Sequence, residues 1–546
     1  MTDIAISTPM RPTTGRTRGR ERGAAADFEE GEKAVSSSII RGKHVITRAL
    51  DRHRWEQIDD GAVLQRDGRI VAIGAFTELR RANPDAPVIG TGEQVLLPGF
   101  VNGHHHVGLT PVQLGSPDMP LELWFATRLV TRDLDVYLDT LYSAFEMIAS
   151  GITTVQHIHG WMPGKLAQVE ERSEAVIRAY EDIGMRVSYC FALRDQNHLV
   201  YEANEQFLER VPADVRPLLA KHFGRFQLSA KDAISLFEHL HAKHHNKERV
   251  KIQLAPANLH WCSDEALTML AECSEKHGVP FHMHLVETAY QKEYARRRGG
   301  GTAVDYIGRF GLLGPKMTLG HGVWLSEGDL DRLAETGTNI CHNCSSNFRL
   351  RSGVAPLNRF EAKGINTAIG LDEAGINDDR DMLQEMRMVL RAHREPGMDD
   401  RVPTMAQVFR MATIGGAKTT PFGAHLGTLE VGKAADMVLL DWKQISYPYL
   451  DADMPVLDAV IQRAKTEGVK TVIAAGEIIY QDGKFTKVDR EAALRQLSEL
   501  LARPLNPDEI ERRQLSKAVF PHVKAFYDGY YDDNSHVPYY RQNSRI

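Results

Sequence analysis

Three consecutive histidines, His104, His105 and His106, end a short apolar run, Phe100-Val101, that follows a Pro98-Gly99 turn. Alternate side chains of an extended strand share a face, so His104 and His106 can reach one metal ion while His105 points away. Neutral imidazole is the commonest protein ligand for a catalytic divalent ion. A pair two residues apart also arises by chance, so partners elsewhere must decide. Four stand out: His284 closes the run Val279 to His284, Glu287 lies three residues on, His321 closes Met317 to His321, and Asp372 follows Ala368 to Leu371. Imidazoles and carboxylates are both donors to divalent ions and the groups that move protons in hydrolysis.

The elements that must position these residues form an alternating pattern. Between residues 98 and about 422, β-rich runs (Thr153 to Ile158, Arg186 to Phe191, Val250 to Leu254, Val279 to His284, Lys316 to Leu319, Asn339 to His342, Asn366 to Ile369) alternate with segments of helical periodicity such as Leu134 to Ala149 and Ala266 to His277. With Phe100-Val101 this makes eight strands and predicts an α/β fold of the (β/α)8, TIM-like barrel type. A doubly wound open sheet is the alternative, weakened in its dinucleotide form because no Gly-x-Gly-x-x-Gly follows the first strand. Each polar candidate then sits just past the C-terminal end of a strand, where barrel enzymes gather their catalytic groups. The 37 residues from His284 to His321 match one strand-helix unit of roughly 31, and the 51 from His321 to Asp372 leave room for one more strand.

Short strands broken by turns fill residues 37–97, with Asp67-Gly68 as a hairpin signal. The same texture returns at 423–490, so the two segments are expected to build one small composite β-sandwich domain. A helical insertion is expected at about 195–247 and a helical, aromatic extension at 491–546. Residues 1–36, rich in Arg, Gly, Thr and Ala, are expected to be a disordered tail.

A length of 546 residues suffices for a large core and a second domain, and 42% hydrophobic with 25% charged residues is the balance of a soluble globular protein. A net charge of -6 offers no basic field for nucleic acid. No apolar run approaches the ~20 residues of a membrane helix, and Met1 to Val35 lacks the apolar core of a signal peptide. Five scattered cysteines point to a reducing cytoplasm rather than a disulfide framework. Cys341-His342-Asn343-Cys344 has zinc or redox spacing, but without a second pair to complete four ligands it reads as ordinary thiols near a strand end.

Several motifs in order make a resemblance specific. Pro98-Gly-Phe-Val-Asn-Gly-His-His-His106, His284-Leu-Val-Glu287-Thr288, His321-Gly322, His342-Asn-Cys-Ser-Ser-Asn347, Gly370-Leu-Asp372 and Gly427 to Asp436 resemble the amidohydrolase superfamily, in its branch of mononuclear metal deaminases and triazine or nucleobase hydrolases. The resemblance implies that His104, His106, His284 and Asp372 bind one divalent metal, Zn²⁺ first, with Fe²⁺ or Co²⁺ accepted by similar ligands. It places His321 beside the metal-bound water and Glu287 against the substrate. Such an ion lowers the pKa of bound water toward about 7. Asp372 can then take the water proton, and a protonated Glu287 can donate to a ring nitrogen and the leaving amine. Binuclear relatives need a carboxylated lysine at the end of the fourth strand. Here Lys251 lies near that strand's start, which favours one metal.

The expected activity is hydrolytic deamination of an N-heterocyclic small molecule. Hydrolysis of an amide, urea or carbamate by the same centre is the alternative, and a catalytically silent barrel scaffold is the alternative of another class. His157, His159, His260, Trp261, Asn347 and Glu373 are candidate pocket residues. Glu373, an added acid beside the metal, would favour a cationic or hydrogen-bond-donating substrate. Cys344 stands where the motif often has proline, and the group His239, His241, His244 and His245 reads as a solvated helix face. A small-molecule substrate, no nucleic acid, no membrane and a homodimer or higher homo-oligomer complete the expectations.

Overall fold

The structure, a computed structural model, describes residues 37–160, 163–398 and 400–531. The tail expected at 1–36 and the last part of the C-terminal extension lie outside the described residues. Among the described residues eighteen strands occur in chain order: β1 Ser37–Ala49, β2 Trp55–Arg66, β3 Arg69–Ala75, β4 Val88–Ile89, β5 Gln94–Pro98, β6 Phe100–His105, β7 Ile152–His159, β8 Arg186–Leu193, β9 Val250–Ile252, β10 Ala255–Pro256, β11 Phe281–Leu285, β12 Met317–His321, β13 Asn339–His342, β14 Thr367–Ile369, β15 Met437–Asp441, β16 Val469–Ala474, β17 Glu477–Gln481 and β18 Lys484–Phe485.

β6 to β14 form the barrel. They pair in parallel as two arcs, β10-β8-β7-β6 with β9 on β8, and β11-β12-β13-β14. Parallel bridges from Leu254 to Phe281 and from Asn258 to His284 join the arcs on one side, and one from His105 to Asp372 joins them on the other. Such strands carry helices outside and side chains inside, so they read as continuous apolar runs: every residue of β8 is buried. The fourth strand, expected as Val250 to Leu254, is split into β9 and β10, and Asn258, two residues past β10, is buried and bridges to His284.

β1 to β5 and β15 to β18 pair in one nine-stranded sheet, β18-β17-β16-β15-β5-β1-β2-β3, with β4 on β1. N- and C-terminal segments meet where β15 runs antiparallel to β5, Met437 opposite Pro98 and Asp441 opposite Gln94. Asp436 ties this sheet to the barrel. One carboxylate oxygen accepts from Arg186 Nε at 2.9 Å, at the start of β8, and the other from the Ala475 amide at 2.8 Å. Both side chains are buried, and removing one partner of such a pair strands the other charge, at about 3–5 kcal/mol.

Within 195–247 only the helices Asn204–Arg210 and Arg216–Phe223 stand apart from the main core. The third, Ala230–His244, buries Ala233, Leu236, Phe237 and Leu240 in it and serves as a barrel helix. The first two share a separate apolar cluster with the long C-terminal helix Pro507–Tyr527: Phe207 and Leu219 meet Leu515, Val519, Val523 and Tyr527. Burying each such side chain contributes about 1.5–3 kcal/mol. That helix also packs on helix Leu121–Thr127, where Ser516 Oγ donates to the Ala126 carbonyl at 2.8 Å. It therefore braces an element of the barrel mouth. Among the described residues no helix is long and apolar enough to cross a membrane.

Candidate metal centre

β6 delivers His104 and His106 from alternate positions to one point. Their Nε2 atoms lie 2.9 Å apart, and His106 Nε2 lies 3.0 Å from Nε2 of His284, in β11. Asp372, three residues past β14, brings Oδ1 to 3.1 Å from His106 Nε2 and 3.5 Å from His104 Nε2. His105 faces away: its Nδ1 lies 3.2 Å from the Asp372 carbonyl and its ring stands beside His157. Lys251 is also remote, donating to the His245 carbonyl at 2.6 Å.

The nitrogens on the other side of these rings decide what the centre can hold. His106 Nδ1 donates to the Ile158 carbonyl at 2.6 Å and His284 Nδ1 to the Ala257 carbonyl at 2.8 Å. A carbonyl only accepts, so these nitrogens carry the ring protons and each Nε2 presents a lone pair. Burial pushes His284 well below its ordinary range and His104 down to about 3, so both are neutral donors. Two lone pairs 3.0 Å apart in a dry site repel unless a proton or a metal cation lies between them. Burial would raise the Asp372 carboxyl, but His104 and His106 outweigh it and hold it well below the carboxylate range, ionised. At His106 burial is outweighed by Asp372, which raises it; with that proton given up to an incoming cation, three imidazoles and one carboxylate are the donor set of a divalent ion.

The backbone is shaped to this geometry. His321 and Asp372 adopt left-handed φ angles of 71° and 55°, uncommon outside glycine and concentrated at functional sites. Gly370 precedes them in the packing: a Cβ there would lie 2.3 Å from Asn343 Oδ1 and 2.5 Å from His104 Cβ, so only glycine fits. Asn102 Oδ1 accepts from both the His104 amide, at 3.3 Å, and the Leu371 amide, at 3.0 Å, which locks the β6 and β14 ends together.

Around the donors stand further titratable and hydrogen-bonding groups. Asp372 Oδ2 accepts from Ser346 Oγ at 2.5 Å and lies 3.8 Å from His321 Nε2. His321 Nδ1 donates to Asn347 Oδ1 at 2.9 Å. Glu287 Oε1 lies 3.7 Å from His321 Nδ1 and accepts from Ser352 Oγ at 3.2 Å. Burial raises the Glu287 carboxyl, opposed by His321, and so favours its protonated form. Beside it Glu122, pushed up to about 7 by burial, accepts from Tyr201 OH at 2.9 Å and Thr288 Oγ1 at 2.5 Å.

These groups open onto a cleft of about 730 Å³, its mouth included. Trp124, Phe125 and Trp261 give it aromatic walls, and Glu287, His321, Asp372, His159 and Glu373 reach its surface. Of the candidate pocket residues, His157, His260 and Asn347 do not line it. His157 Nδ1 is 2.9 Å from Tyr180 OH, the His260 ring packs on Tyr201, and Asn347 acts through His321. Glu373 reaches the cleft surface as expected, and there it pairs with Arg128, which offsets its negative charge. Sequence reasoning also passed over Arg194, which lines the cleft with its guanidinium 3.7 Å over Trp261, and His282, whose Nε2 is 2.8 Å from His104 Nδ1. Both carried a signal. Arg194 directly follows β8, and His282 alternates with His284.

Comparison with known proteins agrees in extent and in fold. The model of the Amidohydrolase family matches residues 95–479, and that of the imidazolonepropionase-like composite domain of bacteria matches 61–86. A 5'-deoxyadenosine deaminase of Methanosarcina mazei is 30% identical over 86% of this chain and 99% of its own length. A 5-methylthioadenosine/S-adenosylhomocysteine deaminase of Thermodesulfovibrio yellowstonii is 26% identical over 83% and 95%. Among solved structures, an adenosine deaminase from Xanthomonas campestris with bound zinc superposes with a TM-score of 0.71 at 21% identity, covering 88% of this chain and 98% of that one. Atrazine chlorohydrolase TrzN from Arthrobacter aurescens complexed with zinc gives 0.74 at 21%, covering 85% and 99%.

Proposed function

Since this chain belongs to the amidohydrolase family, we propose that its cleft hydrolyses the C–N bond of an amino-substituted N-heterocycle, releasing ammonia. Glu287 is the observation that carries this reading. It is buried, biased toward its protonated form, and reaches the cleft beside His321. A poor amine leaving group must be protonated, and a carboxyl raised by burial is a better proton donor to it than an ordinary ionised carboxylate. The aromatic walls suit a planar ring, and the curated relatives are deaminases.

His104, His106, His284 and Asp372 would hold one zinc ion. When bound, it supplies a Lewis acid and a water of lowered pKa. Asp372, ionised and anchored by Ser346, accepts the proton of the attacking water. His321, its proton directed to Asn347, offers Nε2 toward the same point and orients the attacking oxygen. Glu287 gives its proton to the ring nitrogen at the start and delivers one to the departing amine at the end. The five cysteines are buried free thiols, in keeping with a reducing cytoplasm.

The test is ammonia release by zinc-loaded protein across aminopurines, their nucleosides, aminopyrimidines and aminotriazines. Ammonia from at least one class, lost in Glu287→Gln, is the expected outcome. Silence across the panel with turnover of an aryl amide or carbamate would replace this reading by its alternative.

A further inference from the structure

A second convergence of metal-binding side chains lies at the end of β13, and the reaction proposed above does not use it. His342, the last residue of β13, Cys344, the first of helix Cys344–Arg349, and His393, just past helix Met382–Ala392, bring ligand atoms within 4.8 Å of one another. All three are buried. Nε2 of His342 lies 2.8 Å from Nε2 of His393, with ring centroids 4.8 Å apart and planes at 66°. Cys344 is a free thiol, and Nδ1 of His342 is buried with no hydrogen-bond partner.

The cleft centre shows what such a contact means. Its ligand pairs meet Nε2 to Nε2, at 2.9 and 3.0 Å, and the His104 and His106 rings stand 4.6 Å apart at 88°. The supporting contact, from His282 to His104, instead joins Nε2 to Nδ1, leaving the ligand nitrogen free. By the atoms that meet, the His342–His393 pair belongs with the ligands. We propose that His342, Cys344 and His393 form a second, structural metal site for a borderline-soft cation of the Zn²⁺ type, separate from the cleft centre.

Imidazole and thiolate are the donors that structural zinc takes, and these three would leave the fourth position of its tetrahedral set to a water. Binding would release the Cys344 proton to solvent and form one metal–sulfur and two metal–nitrogen bonds. Charge balance is at hand. Glu385 is buried close by, its carboxylate accepting from the Ser345 amide at 2.9 Å and from the Ser345 hydroxyl. One divalent cation with a thiolate and this carboxylate is neutral overall. Burial pushes the Cys344 thiol well up, reinforced by Glu385, and raises Glu385 itself to about 7. An ion there would clamp β13 to two helices and so hold Asn343 and Asn347, which both contact His321.

The experiment uses full-length protein stripped of metal and reconstituted with Co²⁺, whose bond to a thiolate gives a near-ultraviolet charge-transfer band. The cleft centre has no thiolate donor and cannot produce it. The expected result is about two equivalents of cobalt and a charge-transfer band, with Cys344→Ser losing the band and one equivalent while keeping the other. A reconstituted parent protein without the band overturns the proposal and leaves a hydrogen-bonded histidine pair. A band that survives in Cys344→Ser overturns it equally. Should that variant fail to fold, the parent spectrum with His393→Gln decides on the same terms.

Discussion

In the cleft centre the outer nitrogens of His106 and His284 are tied to main-chain carbonyls, whereas the outer nitrogen of His342 has no partner. The two clusters share burial and paired imidazoles that meet Nε2 to Nε2, at 2.9 and 3.0 Å in the first and 2.8 Å in the second, yet they are prepared differently. At the first, fixed tautomers aim lone pairs at a common point, and the adjacent carboxylate, Asp372, is held ionised. At the second, the adjacent carboxyl, Glu385, is pushed up to about 7. The first also opens to a cleft and carries left-handed backbone at His321 and Asp372, while the second is sealed. A cluster built for chemistry is pre-ionised, strained and exposed to substrate. One built for structure needs only donors that converge.

Removing Asp372 should break this comparison most strongly. Asp372→Asn is expected to lower turnover by about 10⁴-fold, since it removes a donor and a proton acceptor together. His393→Gln should leave turnover within about tenfold of the parent, because its effect reaches His321 only through Asn343 and Asn347. Steady-state ammonia release with metal analysis of both variants is the measurement. Equal losses would mean that the two clusters are one functional unit.

Glu287→Gln comes next, with an expected loss of about 10²–10³-fold at unchanged metal content. Parent activity should also fall as pH rises through the elevated pKa of Glu287, because the protonated carboxyl is the active form. The glutamine variant should lose that alkaline limb. Retention of the limb would assign it to another group, Glu122 being the nearest.

How much of this was readable from the chain depends on where each residue sits relative to a strand end. His104, His106, His284, His321 and Asp372 all close or follow parallel strands, and the rule that barrel strands end at the active face suffices to gather them. Strand ends were displaced where burial alone marked them, as at β11, which starts at Phe281 rather than Val279, and at β6, which runs on from Val101 to His105. The cleft walls were hidden for a different reason. Trp124 and Phe125 come from a short helix in a loop, and nothing in their spacing says that Pro507–Tyr527, almost four hundred residues on, will brace it. Glu373 was seen as a charge, but its partner Arg128 is remote in sequence, so its neutralisation was not. His393 likewise follows a helix with no pattern linking it to His342.

Glu385→Gln sharpens the electrostatic half of the comparison. In metal-free protein the folded state holds this carboxyl at about 7, above its ordinary 4.5, so it favours the protonated form. The stability that depends on the proton is complete below the unfolded pKa and is lost as pH rises through about 7. The glutamine variant should therefore match the parent near pH 4.5 and exceed it above pH 7 by up to about 3 kcal/mol. With zinc loaded the sign should reverse above pH 7, because the carboxylate then balances the cation. Urea unfolding of stripped and loaded protein reads both. Asp372 offers the opposite case, since its lowered pKa makes its contribution present at neutral pH and lost only in acid.

The smallest expected effect falls on His282, which separates support from ligation. Its Nε2 meets the outer nitrogen of His104, so it fixes the ring without offering a donor to the ion. His282→Ala should weaken metal binding at the cleft centre by about 10–100-fold, as loss of an outer partner does, and excess zinc should restore turnover. His342→Ala, by contrast, removes a proposed ligand, so excess zinc should not restore its missing equivalent. Zinc titration of stripped protein distinguishes the two. If both variants recover with added metal, the His342–His393 contact is a support of the His282 kind, and the atoms that meet carry no information about ligation.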